Sequence, residues 1–291
     1  MAAAFGGLAS FTMEVIDKLL ADTKDLPASP QVLPKLLELL RSDSATLDEI
    51  GELIALEPAI TAKLLQYCNS PHFRGAEPVS NVAEAIGRVG FQTIFVLVTI
   101  VTGGNILALP AGSGLDIARL WQHSLTSAFA AKIVAEFKGT DANLLFTAGL
   151  LHDMGRVVLA RAKGPEYARL IKQAADSKTS LLKAELETFG FSHADVGAGL
   201  MEKWSLPKPL VESVRYHHTP SSANGAQRNA TCICVGNALA RISDESSFGA
   251  EPDDRELRFS CGLLKIDVEE MMHLGEQMKE NLDLVETLLR N

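Results

Sequence analysis

Cysteine, aromatic side chains, basic clusters and strand-like alternation are all scarce in this chain of 291 residues. The four cysteines, Cys68, Cys232, Cys234 and Cys261, form no C-x-x-C pair. That excludes the disulfide framework of small secreted domains and leaves reduced thiols in apolar surroundings, with a cytoplasmic location, as the expectation. Aromatics make up only 6% of the chain, while Leu and Ala abound, which favours helix. No dense lysine or arginine run offsets the net charge of −9, so broad contact with nucleic acid or an anionic membrane is disfavoured. Charge is missing altogether between Arg88 and Asp116. The solid apolar run inside that interval, Ile94 to Val101, is nevertheless too short to span a bilayer, and Gly103, Gly104, Asn105 and Pro110 follow it closely. A buried helix is expected there. The first twenty residues lack a basic stretch and reach Glu14 and Asp17 early, unlike a signal peptide.

What is present is helical periodicity, almost throughout. Leu33, Leu36, Leu37 and Leu40 share one helix face after a proline-rich start. Ser44 or Thr46 can cap the next helix, Pro58 suits the first position of the one after, and Ser80 is placed to cap another. Gly, Pro and Ser collect between Leu107 and Asp116, which marks a boundary. The spacing predicts an all-α protein: an N-terminal helical bundle over residues 1–110, packed on a second helical domain over residues 111–291. In the second part, residues 117–137 and 141–162 each read as one helix. Gly190 is placed as a C-cap and Ser192 as an N-cap, and a polar loop follows His218.

Six of the seven histidines fall in that second part: His123, His152, His193, His217, His218 and His273. The segment "GLLHDMGR", Gly149 to Arg156, sets His152 beside Asp153 within an otherwise apolar stretch, where neither is cheap to bury alone. Imidazole and carboxylate projecting inward from different helices can hold Zn, Fe, Ni or Mn. Each residue also has a plainer reading. His123 can be a hydrogen-bonded core residue, the His152–Asp153 pair a helix-end ion pair with Arg156 nearby, and His193 a surface residue after its cap. His217 and His218 suit the negative end of a helix dipole. Joint placement is what favours a site.

The order His123, then His152-Asp153, with long helical spacers, resembles the HD superfamily of helical metal-dependent phosphohydrolases. "HADVG" (193–197) and "YHHTP" (216–220) stand where its GYP-signature phosphodiesterase branch adds histidines, but "TPSSANGA" lacks the GYP signature itself. Asn237, in "CVGNALA", occupies the place of that superfamily's last aspartate ligand. An amide brings no charge, which weakens a hard-cation site. Leu26-Pro27, Pro58, Asn69-Ser70, Ala85-Ile86 and Gly90 extend the likeness over roughly residues 26–240. Together these motifs resemble the HDOD proteins, HD-related output domains of bacterial signalling.

The resemblance implies a cytoplasmic regulator, such as accompanies response regulators, that works through a protein partner or a small nucleotide ligand. Its metal site, His123, His152, Asp153 and Asn237, would be degenerate and non-catalytic, with His193, His217 and His218 forming a secondary pocket. The competing expectation is a metal-dependent phosphohydrolase acting on a nucleotide or cyclic nucleotide, with a metal-bound water as nucleophile. A third, DNA binding, rests on "EPAITAKLLQYCNS" (57–70), read as two short helices in helix-turn-helix fashion.

Overall fold

Capping side chains open several of the helices, at Thr46, Asn81, Asp116, Asp141 and Ser180, and a proline stands at the start of others. The computed structural model describes residues 13–23, 32–39, 46–70, 78–106, 114–243 and 254–278, and among these every regular element is helical. The fold is all-α. The chain divides into two compact units, residues 29–106 in one and residues 1–28 with 107–289 in the other.

The smaller unit holds α2 (Val32–Leu39), α3 (Leu47–Ala55), α4 (Pro58–Cys68), α5 (Val82–Val89) and α6 (Phe91–Ile106). On α2, Leu33, Leu36 and Leu37 are buried as the spacing predicts; Leu40, Ser44 and the Leu26-Pro27 pair lie outside the described residues. Thr46 caps α3 reciprocally with Glu49, satisfying two amides that a helix start leaves open. Pro58 takes the first position of α4, where its missing N–H leaves no bond unmade. Asn69 then bonds Val79 in both directions, Nδ2 donating to the carbonyl at 2.9 Å and Oδ1 accepting from the amide at 2.8 Å. The cap of α5 is Asn81, not Ser80 as expected: the Asn81 side chain accepts from the Glu84 amide, while Glu84 reaches back to the Ser80 amide and hydroxyl. Gly90, at φ 80°, makes the turn into α6. That helix buries Ile94, Phe95, Val96, Leu97, Val98, Ile100 and Val101 around its whole circumference, the mark of a core helix, and it packs on α2, α4 and α5. No described helix is long and apolar enough to cross a membrane.

One sequence expectation fails here. The stretch 57–70 is a single helix, α4, with no internal turn. After Pro58 it contains no glycine or proline to break the run, so nothing separates a scaffold helix from a recognition helix.

The larger unit holds α1 (residues 13–22), α7 (Ile117–Lys138), α8 (Ala142–Leu151), α9 (Met154–Lys163), α10 (Pro165–Asp176), α11 (Leu181–Phe189), α12 (His193–Lys203), α13 (Lys208–Arg215), α14 (Gln227–Ser243), α15 (Asp254–Leu264) and α16 (residues 268–278). A short 3-10 turn, Pro220–Ser222, interrupts the polar loop. The long α7 packs on α8 and α14, and α13 touches α8, α12 and α14. Gly149 and Gly236 let α8 and α14 approach α7 closely: a Cβ would stand 2.9 Å from Ala128 Cα at the first and 2.7 Å from the Ala131 amide at the second. The cysteines follow expectation. All four are free thiols, and burial pushes Cys232 and Cys234 up to about 11.

Residues 141–162 do not form one helix. The helix stops at Leu151 and restarts at Met154, and this interruption builds the site.

Candidate metal centre

Asp153 sits at the break, at φ −98° and ψ 7°, outside helical geometry. Two residues on, Gly155 lies against the start of α12. A Cβ there would stand 1.8 Å from the His193 carbonyl oxygen and 2.8 Å from the Gly197 amide, so only glycine permits this crossing. The approach brings His193 to Asp153. Asp195 accepts from the Ser192 amide and hydroxyl at 2.9 and 2.8 Å, which ties down the start of α12.

Around Asp153 the rings close in from separate elements. Its Oδ1 stands 3.2 Å from His193 Nε2 and 3.2 Å from Arg156 Nε, while Oδ2 stands 3.4 Å from His152 Nε2 and 3.8 Å from His123 Nε2. His193 Nε2 is also 3.0 Å from His218 Nε2. His217 fits between, its ring 5.0 Å from that of His152 and 4.0 Å from that of His218. His123, His152, Asp153, His193 and His217 are buried, none more than 1% exposed, and His218 alone is partly exposed. His193 is therefore no surface residue, and His217 and His218 follow α13 in a turn that carries them inward. The structure thus joins the first three expected ligands and the secondary pocket into one cluster sharing Asp153. The fourth expected position, Asn237, is engaged along its own helix, its Oδ1 accepting from Arg241 Nε at 3.2 Å.

The outer nitrogens show which way these rings are set. His152 Nδ1 bonds the Gly149 carbonyl at 2.7 Å and His217 Nδ1 bonds the Val214 carbonyl at 2.6 Å. A carbonyl only accepts, so each Nδ1 carries the proton and each Nε2 presents a lone pair inward. Those two Nε2 atoms and both Asp153 oxygens are buried without a hydrogen bond. Burial drives His217 and His218 well below the usual histidine range and His152 below it, and takes His123 down to about 3. Burial alone would raise Asp153, but Arg156, with His152 and His193, holds it well below the carboxylate range. The result is an ionised carboxylate amid mostly neutral imidazoles, the protonation a divalent cation requires.

The spacing fits such an ion. Donor atoms bound at 2.0–2.1 Å to a tetrahedral ion stand about 3.3 Å apart, close to the separations around Asp153. Two groups could each hold a metal, His123 with His152 and Asp153, and Asp153 with His193, His217 and His218.

Two contributors, Glu185 and Tyr167, are not marked in the sequence, and a third is marked there only as a helix-end neighbour. Arg156, 2% exposed, supplies the charge that keeps Asp153 ionised, where a helix-end pair was weighed. Glu185 and Tyr167 stand behind His193. The available signal was Glu185 four residues after Leu181, a carboxylate on the buried face of α11.

Comparison with known proteins agrees with this architecture. The family model of the HDOD domain matches residues 26–220. An uncharacterized protein of Treponema pallidum is 24% identical over 256 residues, covering 87% of this chain but 48% of that protein, so the chain spans about half its length. An HDOD domain protein of unknown function from Geobacter sulfurreducens superposes with a TM-score of 0.78 at 22% identity, over 97% of this chain and 98% of that one. A candidate signal transduction protein from Marinobacter aquaeolei does so with 0.79 at 20%, over 99% and 66%. A candidate phosphohydrolase from Shewanella amazonensis gives 0.70 at 23%, over 94% and 97%. These identities establish a shared fold.

Proposed function

This chain belongs to the HDOD family, and on that premise we propose that it is a bacterial signalling module whose histidine–aspartate centre binds a divalent cation within the scaffold and does not turn over substrate. The observation that carries this reading is closure. His152 and His193 are 0% exposed, and Asp153 and His217 are 1% exposed, so the shared carboxylate is shielded from solvent in this conformation. Arg156 already neutralises Asp153 from 3.2 Å, and an amide stands at position 237 where a further carboxylate would strengthen a hard-cation site. The signalling output would then pass through a protein partner or a small nucleotide ligand bound elsewhere on the chain. The name of the Marinobacter neighbour is consistent with that context.

His123, His152 and Asp153 would hold one cation, and His193, His217 and His218 would join Asp153 around another. A bound divalent ion supplies positive charge and lowers the pKa of water. The residues themselves do the rest: Gly149 and Val214 carbonyls fix the tautomers of His152 and His217, Arg156 balances the carboxylate, and the apolar helices exclude solvent.

A second reading, a phosphohydrolase, has one observation in its favour. His218 is partly exposed, which gives the cluster one open side. Metal analysis of protein purified without chelator, followed by phosphodiesterase assays with added Mn or Fe, separates the two. The expected result is bound metal with no turnover, and loss of that metal in His152→Ala. Stoichiometric metal with turnover that vanishes in His152→Ala overturns the signalling-only reading.

A further inference from the structure

Glu185 is an unusual residue to find in this position. It is a carboxylate with 0% exposure, on α11, which contributes none of the cluster's own side chains. Such a group is stable only when its lone pairs are satisfied, and three donors satisfy it. Tyr167 Oη donates to Oε1 at 2.6 Å, and the His193 amide and ring Nδ1 both reach Oε2, at 2.8 and 2.6 Å. Tyr167, also 0% exposed, comes from α10. The three residues form a line, Tyr167 to Glu185 to His193, pointing at Asp153 and His218.

The chemistry of that line is directional. An ionised carboxylate accepts and cannot donate, so the His193 proton belongs on Nδ1. Nε2 then faces Asp153 Oδ1 at 3.2 Å and His218 Nε2 at 3.0 Å, the place where a second proton or, in its stead, a cation would sit. His152 and His217 lean through Nδ1 on backbone carbonyls, which no substitution removes, whereas His193 leans through Nδ1 on a side chain. We propose that Glu185, backed by Tyr167, is the positioning residue of this centre: it holds His193 in the Nδ1–H tautomer, turns Nε2 inward, and so sets the affinity for a divalent cation. The affinity half of this proposal rests on the metal-centre reading given above, and the tautomer half does not.

A carboxylate behind a ligating histidine fixes the ring and raises its basicity, and removing such a partner lowers metal affinity about 10–100-fold. Two substitutions separate the contributions. Glu185→Gln keeps an acceptor and removes the charge, and Glu185→Leu removes both. In chelated protein labelled with 15N-histidine, NMR is expected to report the Nδ1–H form for His193 in the parent and in Glu185→Gln, and its loss in Glu185→Leu. Titration with Co²⁺ and competition with Zn²⁺ are expected to show about tenfold weaker binding in Glu185→Gln, about a hundredfold in Glu185→Leu, and a shifted cobalt absorption spectrum in both. Tyr167→Phe, the mildest change, is expected to weaken binding in the same direction by a smaller factor, and it decides the matter where Glu185→Leu does not fold. Parent affinity and an unshifted cobalt spectrum in folded Glu185→Gln and Tyr167→Phe overturn the proposal, as does an unchanged tautomer in Glu185→Leu. If the parent binds neither ion, the metal-centre reading falls, and the tautomer measurement still decides what Glu185 does.

Discussion

At the scale of single residues, the cluster works because its members are pushed toward different charge states. Asp153 stays ionised through Arg156, while the rings facing it are kept mostly neutral by burial. His123 carries this furthest. Burial first, and His152 second, take it down to about 3, with Asp153 opposing. An unfolded chain binds that proton near the ordinary histidine value of about 6.5. The unfolded state therefore gains protons first as pH falls, and the stabilisation, whole above about 6.5, drains away toward the folded value. At pH 5.5 one such histidine costs about 1.4 kcal/mol. His152, His217 and His218 shift in the same direction. His193 opposes them: burial lowers it, but Glu185 and Asp153 together more than compensate and its net shift is upward, so its contribution is whole at low pH and is lost as pH rises. Four against one predicts that chelated protein melts several degrees lower at pH 5.5 than at pH 7.5, and that His123→Gln narrows the gap. A melting temperature equal or higher at pH 5.5, or a gap that His123→Gln leaves untouched, would refute neutral histidines.

At the scale of elements, the decisive feature is where two helices end and how closely two others cross. Gly155 is the test position. Its Cβ would meet the His193 carbonyl carbon at 2.7 Å as well as the oxygen, backbone that cannot move without separating α9 from α12. Gly155→Ala is expected to destabilise by about 3 kcal/mol, at the severe end of overpacking, and to displace His193. Gly87 provides the contrast. It lies on α5, exposed, with nothing within 4 Å of a Cβ, so Gly87→Ala is expected to stabilise by about 0.5–1 kcal/mol. Urea unfolding reads both, and a neutral Gly155→Ala would remove the close crossing from the explanation. The same feature limits what sequence reading can reach. Caps at Thr46 and Ser192, Pro58 at a helix start and Gly190 at a helix end are local chemistry, and they are legible. The break at His152–Asp153 is not, because no proline marks it and the flanking residues are as apolar as a continuous helix would be. It is held by a contact between α9 and α12, whose partners are separated by nearly forty positions in the chain. Glu185 was hidden for the same reason, since its partner His193 is recognisable only once α11 and α12 are placed.

At the scale of the whole molecule, charge and helix layout bear on whether the partner is a nucleic acid. Duplex binding is driven by phosphate neutralisation, so a binder needs a basic face and an element that enters a groove. This chain carries 36 acidic residues against 27 basic ones. The segment that suggested helix-turn-helix geometry is one continuous helix, Pro58–Cys68, with Lys63 as its sole basic residue. A module making 6–10 phosphate contacts loses about 10³–10⁵ in affinity between 50 and 200 mM salt, which makes salt the sensitive variable. Fluorescence anisotropy with labelled duplex DNA is therefore expected to stay flat in protein titrations at both salt concentrations. Binding at 50 mM that collapses at 200 mM would restore a nucleic-acid partner. Because the acidic balance belongs to the chain and not to the cluster, the same flat result is expected for His152→Ala and for metal-loaded protein. A signal that appeared only with metal would instead place a phosphate-binding surface at the partly exposed His218.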